Sequence, residues 1–224
     1  MKTAVVTDGK YRASLAAVRA LGEAGFSVVV TQTRQEAVHT PASFVSKFTK
    51  EGRWIEGSCR DADYGERLTA LLQAYDHPVL FPTGADTLRW ISAHREELAG
   101  TADFLVASPQ ALADLNDKET VHQRCLALGL PVPQEYDGPP DRYPVVVKPR
   151  CGEQFGLKSW ERYTIAEGQA AYQRAYETMS QYGGAPIVQE KVSGPGEGVN
   201  LLLDQNSRLV CAFCHRRLRE YPVT

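Results

Sequence analysis

Residues 143–158 read Tyr143-Pro144-Val145-Val146-Val147-Lys148-Pro149-Arg150-Cys151-Gly152-Glu153-Gln154-Phe155-Gly156-Leu157-Lys158. Three consecutive valines between prolines predict a short buried strand. Lys148 closes that strand, so its ammonium stands at the end of a rigid, apolar element. The loop that follows contains Gly152 and Gly156. Glycines let backbone N–H groups turn inward and approach a phosphate closely, and Lys158 adds charge. The combination points to an anionic ligand. The plainer reading is a surface lysine that snorkels to water ahead of an ordinary loop.

On the C-terminal side, a helix of roughly four turns is expected over about 166–182, stopped by Gly183-Gly184. Ile187 to Val192 reads as a strand and Ser193 to Gly198 as a glycine-rich turn. Val199 to Leu203 reads as another strand, and Asp204-Gln205-Asn206-Ser207 as the hairpin turn into Arg208–Cys214. The strand thus passes abruptly into a turn with acidic residues on each side. The backbone of Glu190, Lys191 and Val192 is placed to read an adenine edge by strand-like hydrogen bonds, and a later carboxylate to hold ribose hydroxyls.

On the N-terminal side, Ser108-Pro109 starts a short helix over Ala111–Leu115. Asn116-Asp117 caps a second one from Lys118 to Leu128, and Gly129 stops it. Lys118 therefore starts beside helix N–H groups that favour anions. Pro131-Val132-Pro133 forces an extended connection.

Residues 1–109 follow a different rhythm. Strands are expected at Thr3–Thr7, Ser27–Thr31, Val79–Phe81 and Phe104–Ala107. Helices are expected from about Ser14, over about 64–75, and from Asp86 to Leu98. Short continuous apolar strands alternating with helices indicate a doubly wound parallel sheet. Residues 110–224 look α+β, with antiparallel hairpins. The chain has 224 residues with 25 Lys plus Arg against 27 Asp plus Glu, a net charge of −2. That balance excludes binding of nucleic acid or a membrane surface by bulk charge. No apolar run approaches the roughly 20 residues of a membrane helix, and none after Met1-Lys2 suits a signal peptide. Five scattered cysteines suit a reducing compartment, so a cytoplasmic protein is expected.

The ordered series Asn116-Asp117-Lys118, Leu130-Pro131-Val132-Pro133, Tyr143 to Pro149, the glycine loop and Gln189-Glu190-Lys191-Val192-Ser193-Gly194 resembles the ATP-grasp superfamily. The ending His215-Arg216-Arg217-Leu218-Arg219-Glu220-Tyr221-Pro222 is similar to its bacterial carboxylate–amine ligase-like branch, often labelled carbamoyl-phosphate-synthase-like. The resemblance implies an α/β fold in three parts. These are a doubly wound pre-ATP-grasp domain over 1–109, an α+β ATP-grasp subdomain over 110–188, and the start of a second subdomain over 189–224.

It also implies roles. Lys118 and Lys148 would contact the α- and β-phosphates of ATP, Lys148 also lying near the adenine. The loop 151–158, with Gly152, Gly156 and Lys158, would close over the β- and γ-phosphates. Gln189, Glu190 and Val192 would sit at the adenine, with Lys191 between them. Glu197 would hold the ribose, unless it is only a turn residue of the Gly-Pro-Gly-Glu-Gly run. Arg216, Arg217 and Arg219 would face the γ-phosphate or an acyl-phosphate intermediate. On a continuing strand Arg217 and Arg219 share one face and Arg216 the other, so all three meet one ligand only if the strand has ended. The implied partners are small-molecule carboxylate and amine substrates, and the implied cofactors are ATP and Mg²⁺.

Here the sequence departs from the pattern. The family's Mg²⁺ ligands fall beyond residue 224, so none is assigned in this chain. The chain is expected to be either a fragment of a longer ligase or a naturally short protein completed by a partner or, as a homodimer, by a second copy. By itself it is expected to bind nucleotide poorly and turn over little. The alternative to a ligase is a non-catalytic, ATP-grasp-like interaction module.

Other features read as structural. Cys211-Ala212-Phe213-Cys214 has CxxC spacing, but on a strand i and i+3 point to opposite faces. Asp61 and Asp63 suit a solvated loop. Thr7-Asp8-Gly9 and Thr83-Gly84 with Asp86 follow strand ends, where open α/β sheets place ligands. For Asp86 a helix N-cap is the plainer reading.

Overall fold

The computed structural model describes residues 1–37, 39–150 and 157–219. The chain divides into two compact units, Met1–Pro109 and Gln110–Thr224.

The first unit runs β1 (Thr3–Val6), α1 (Arg12–Glu23), β2 (Ser27–Thr33), β3 (Thr49–Ile55), α2 (Tyr64–Gln73), β4 (Val79–Phe81), α3 (Ala85–Ala93) and α4 (Arg95–Leu98). The four strands form one parallel sheet in the order β3-β2-β1-β4. Every residue of β2 is buried, as are Ala4, Val5 and Val6 of β1. Successive strand residues point to opposite faces, so a wholly buried strand requires cover on both sides. Val6, Val28 and Val30 pack against Val18 of α1, bordered by Leu21, Phe26, Phe44 and Phe48. Helix α2 buries Tyr64, Leu68 and Leu72, one every four residues along a single stripe. Gly25, at φ +87°, supplies the left-handed turn after α1.

Three expectations for this unit are corrected. Strand β3 was not foreseen, because Lys50, Glu51, Gly52 and Arg53 break any apolar pattern. It is an edge strand, half exposed and, among the described residues, paired only with β2, where charged side chains are tolerated. Phe104–Ala107 forms no strand. Pairing stops at Asp103, which bridges Val79. The helix expected from Asp86 to Leu98 breaks at His94, whose φ of −106° and ψ of 25° leave the helical region.

The second unit runs α5 (Pro109–Asn116), α6 (Lys118–Ala127), β5 (Val145–Lys148), β6 (Thr164–Ala166), α7 (Gln169–Ser180), β7 (Ile187–Glu190), β8 (Glu197–Leu203) and β9 (Leu209–Arg216). Strands β6-β5-β7 form an antiparallel sheet, and β8-β9 a separate antiparallel hairpin. Val145, Val147, Ala166 and Val188 pack with Tyr172, Ala175 and Met179 of α7. The other face of β5 and β7 therefore carries Val146, Lys148, Ile187 and Gln189, by their register.

Here too boundaries shift. Strand β7 ends at Glu190 instead of Val192, and β8 begins at Glu197 instead of Val199. Helix α7 has 12 residues, about three turns, not four. The three-residue β6 was too short to register as a period.

Candidate nucleotide site

Asp117 caps α6. Its Oδ1 accepts from the Thr120 N–H at 2.8 Å, as the Asn116-Asp117 reading expected. The same carboxylate accepts from Arg150, at 2.9 Å from Nε and 3.2 Å from Nη2. Arg150 holds its pKa down to about 2, with the Thr120 N–H adding and partial burial opposing. The next residue, Lys118, donates from Nζ to the carbonyls of Pro149 at 3.0 Å and Arg150 at 3.1 Å. The first turn of α6 is thus bound to the chain leaving β5, where the glycine loop begins.

Lys148, at the end of β5, is half-buried, and among the described residues none accepts a hydrogen bond from its ammonium. Burial lowers its pKa, the charge of Lys118 lowers it further, and Glu135 opposes both. Glu135 lies across from Gln189, bridging the two segments. Its Oε1 accepts from Gln189 Nε2 at 2.6 Å and meets His122 Nδ1 at 3.1 Å. Gln189 and His122 are both buried. One face therefore brings together Lys148, Gln189 and Glu135, with His122 reaching Glu135 from α6.

The remaining expected residues are placed as follows. Glu190 is tied to Gln134 on both sides. Its N–H donates to the Gln134 carbonyl at 2.9 Å, and its carboxylate accepts from the Gln134 N–H at 3.0 Å. The Lys191 N–H points to Pro144 O at 3.4 Å, and Val192 is exposed. Lys158 is exposed, its N–H donating to Glu161 at 2.8 Å and its ammonium lying over the Trp160 ring. Gly152 and Gly156 lie outside the described residues.

Glu197 stands at the start of β8 and pairs with Arg216 at 2.8 Å, directly across the hairpin. Strand β9 ends at Arg216, so the alternation expected over 216–219 does not apply. The Arg217 N–H donates to Gly196 O at 2.7 Å, and Arg219 is exposed. Cys211 and Cys214 are exposed on β9, opposite Leu202 and Val199, hence on opposite faces. Among the described residues no group of three or more His, Cys, Asp or Glu is placed to hold a metal.

His122 and Glu135 were missed. One signal for His122 was present, since it lies four residues after Lys118 and so on the same helix face. Glu135 gave none, being one acid in an extended, proline-flanked stretch.

The first unit holds its own polar crevice of about 310 Å³, beyond the C-terminal ends of β1, β2 and β4. Asp8, Lys10, Glu36, Ser58, Arg60 and Asp86 line it. Lys10 pairs with Glu36 at 3.2 Å, and Arg60 with Asp86 at 2.7 Å. Asp86 is not the N-cap. Gly84 occupies that position, its N–H donating to the buried Asp8 at 3.0 Å.

No protein-family model matches the sequence, and no curated protein does. Solved structures do match. A biotin carboxylase from Campylobacter jejuni, solved as a β-γ-ATP complex, is 16% identical with a TM-score of 0.62. The match covers 93% of this chain and 49% of that one. The biotin carboxylase domain of the Hydrogenobacter thermophilus 2-oxoglutarate carboxylase, solved with MgADP, ADP and bicarbonate, is 16% identical. Its TM-score is 0.59, and coverage is 93% and 48%. D-Alanine–D-alanine ligase from Helicobacter pylori is 11% identical with a TM-score of 0.53, covering 100% of this chain and 77% of that one. All three are ATP-grasp proteins.

The chain has an ATP-grasp fold. It spans about half the length of the biotin carboxylases it matches. Within the ATP-grasp fold, the Lys148 face of the second unit is the candidate nucleotide site, and the crevice of the first unit is a separate polar pocket.

Proposed function

We propose that the second unit binds ATP as part of a ligase that activates a carboxylate as an acyl phosphate for attack by an amine. The observation that carries this reading is Lys148. It is a half-buried ammonium without a hydrogen-bond acceptor among the described residues, beside a second cation, Lys118. Two neighbouring positive charges repel each other, and a polyphosphate relieves both.

In this reading Lys118 and Lys148 hold the phosphates and Gln189 meets the adenine. The Glu190 carbonyl and the Val192 N–H complete the base edge. An oxygen of the substrate carboxylate attacks the γ-phosphorus, and the bond to the β-bridging oxygen breaks, releasing ADP. The amine nitrogen then attacks the acyl carbon, inorganic phosphate leaves, and the amine loses a proton. The protein's contribution is positioning and charge neutralisation. Mg²⁺ would neutralise charge on the phosphates. Glu197 and Arg216 neutralise each other here, so a role for either at the ribose or the γ-phosphate requires that pair to open. The domain reading of 1–109, 110–188 and 189–224 belongs to this proposal, as does cytoplasmic localisation.

Calorimetric titration with Mg-ATP and Mg-ADP tests it. Saturable binding of one nucleotide per chain is expected, with a dissociation constant in the millimolar range. Absence of binding both by this chain and by a form extended past Thr224 would end the proposal.

A second reading, a non-catalytic module completed by another polypeptide, is favoured by the β8-β9 hairpin. Leu201, Leu209, Val210 and Phe213 on it are all at least 59% exposed, more apolar surface than one hairpin usually leaves to water. Light scattering discriminates, because a monodisperse monomer at high concentration argues against this reading.

A further inference from the structure

The carboxylate of Glu135 sits between two buried side chains, and its position constrains one of them. Gln189 lies 2.6 Å from it through Nε2, and His122 meets the same oxygen at 3.1 Å through Nδ1. A carboxylate has only acceptors, whereas a side-chain amide has a donor end and an acceptor end. Flipping the Gln189 amide would set two oxygens against each other at hydrogen-bond distance. The amide is therefore held in one sense, nitrogen toward Glu135 and oxygen away. No described residue donates to that oxygen. Among the described residues no fully buried side-chain polar atom lacks a partner, so this oxygen keeps accessible surface. It lies on the sheet face that carries Lys148.

We propose that Glu135 and His122 are positioning residues that fix the Gln189 amide with its oxygen outward, so that the site selects adenine over guanine nucleotides. The inference rests on the nucleotide reading above and adds its specificity. An outward amide oxygen accepts from the exocyclic amine of adenine and opposes the carbonyl oxygen that guanine carries at the equivalent position. A buried acceptor facing an acceptor loses its hydrogen bond and keeps its desolvation cost, which is the stronger form of discrimination. His122 contributes by anchoring Glu135 from α6, the helix that also bears Lys118. The orientation of the amide is thereby linked to the helix that reaches toward the loop entrance.

The test compares Mg-ATP with Mg-GTP by calorimetry on the wild type, Glu135→Gln and Gln189→Met. Glu135→Gln keeps the shape but can present either end of an amide to Gln189, so the lock is lost. The ATP-to-GTP affinity ratio is expected to fall about tenfold, mainly through weaker ATP binding. Gln189→Met removes the amide without touching Glu135 and is expected to give the same loss, which keeps the test open if Glu135→Gln folds poorly. A purely structural role would weaken both nucleotides together and leave the ratio unchanged, and that result overturns the inference. So does a wild type that binds both nucleotides equally. If neither this chain nor a form extended past Thr224 binds either nucleotide, the nucleotide reading falls as well, so the two failures are distinguishable.

Discussion

Lys148 and Lys118 stand as a pair of like charges. Burial lowers the pKa of Lys148, the neighbouring Lys118 ammonium lowers it further, and only Glu135 pulls the other way. A group whose folded pKa lies below its unfolded value disfavours folding while it is charged. Stability therefore rises with pH as Lys148 loses its proton, through the lowered pKa and up to the ordinary value of 10.5. Chemical denaturation of the wild type and Lys148→Met across that alkaline range should show the rise in the wild type alone. Saturating nucleotide should abolish the difference.

Asp117 shows the opposite sign. Its carboxyl is held down to about 2, chiefly by Arg150. Its contribution is fully present above the ordinary Asp value of about 3.9 and is lost as pH falls toward about 2. Asp117→Ala also removes the cap of α6, so a loss of about 1 kcal/mol or more at neutral pH is expected. Asp117→Asn should keep the cap and lose mainly the Arg150 pair. Urea denaturation at neutral and acidic pH separates the two contributions.

In the first unit, a Cβ on Gly84 would lie 2.5 Å from Asp8 Cγ. Asp8 cannot retreat, because its carboxylate is held by the Gly84 N–H and by Thr87 at 2.9 Å, and its backbone sits at φ +57°. Gly84→Ala should therefore cost about 1–3 kcal/mol by overpacking, seen as a lower denaturation midpoint with an unchanged slope.

Cys59 is buried with its Sγ 3.2 Å from Glu36. Burial first, and then that carboxylate, push its thiol up to about 12. Cys211 and Cys214 lie exposed on β9. A maleimide at neutral pH should label the β9 cysteines and leave Cys59 unmodified until the protein is denatured. Mass spectrometry of the digested protein reads this directly.

What the sequence revealed follows from how local each signal was. The limits of β5 were legible to the residue, because prolines flank an unbroken valine run ending in Lys148. Strand β3 was hidden, since an edge strand needs no apolar face and Lys50, Glu51 and Arg53 occupy it. The break at His94 lies inside a continuous helical pattern. At the site, the residue types and neighbours of Lys118 and Lys148 pointed to an anion. Glu135 could not be found this way, because its partner Gln189 is 54 residues distant. Only the pairing of Gln134–Tyr136 with β7 brings the two together.

The central claim is that Lys118 and Lys148 hold the phosphates of a nucleotide. The direct measurement is calorimetric affinity for ATP and for adenosine in the wild type, Lys118→Ala and Lys148→Ala. The account predicts that each substitution weakens ATP about tenfold or more, the size of a lost charge-assisted contact, and leaves adenosine nearly unchanged. Equal ATP affinity in all three proteins would contradict it.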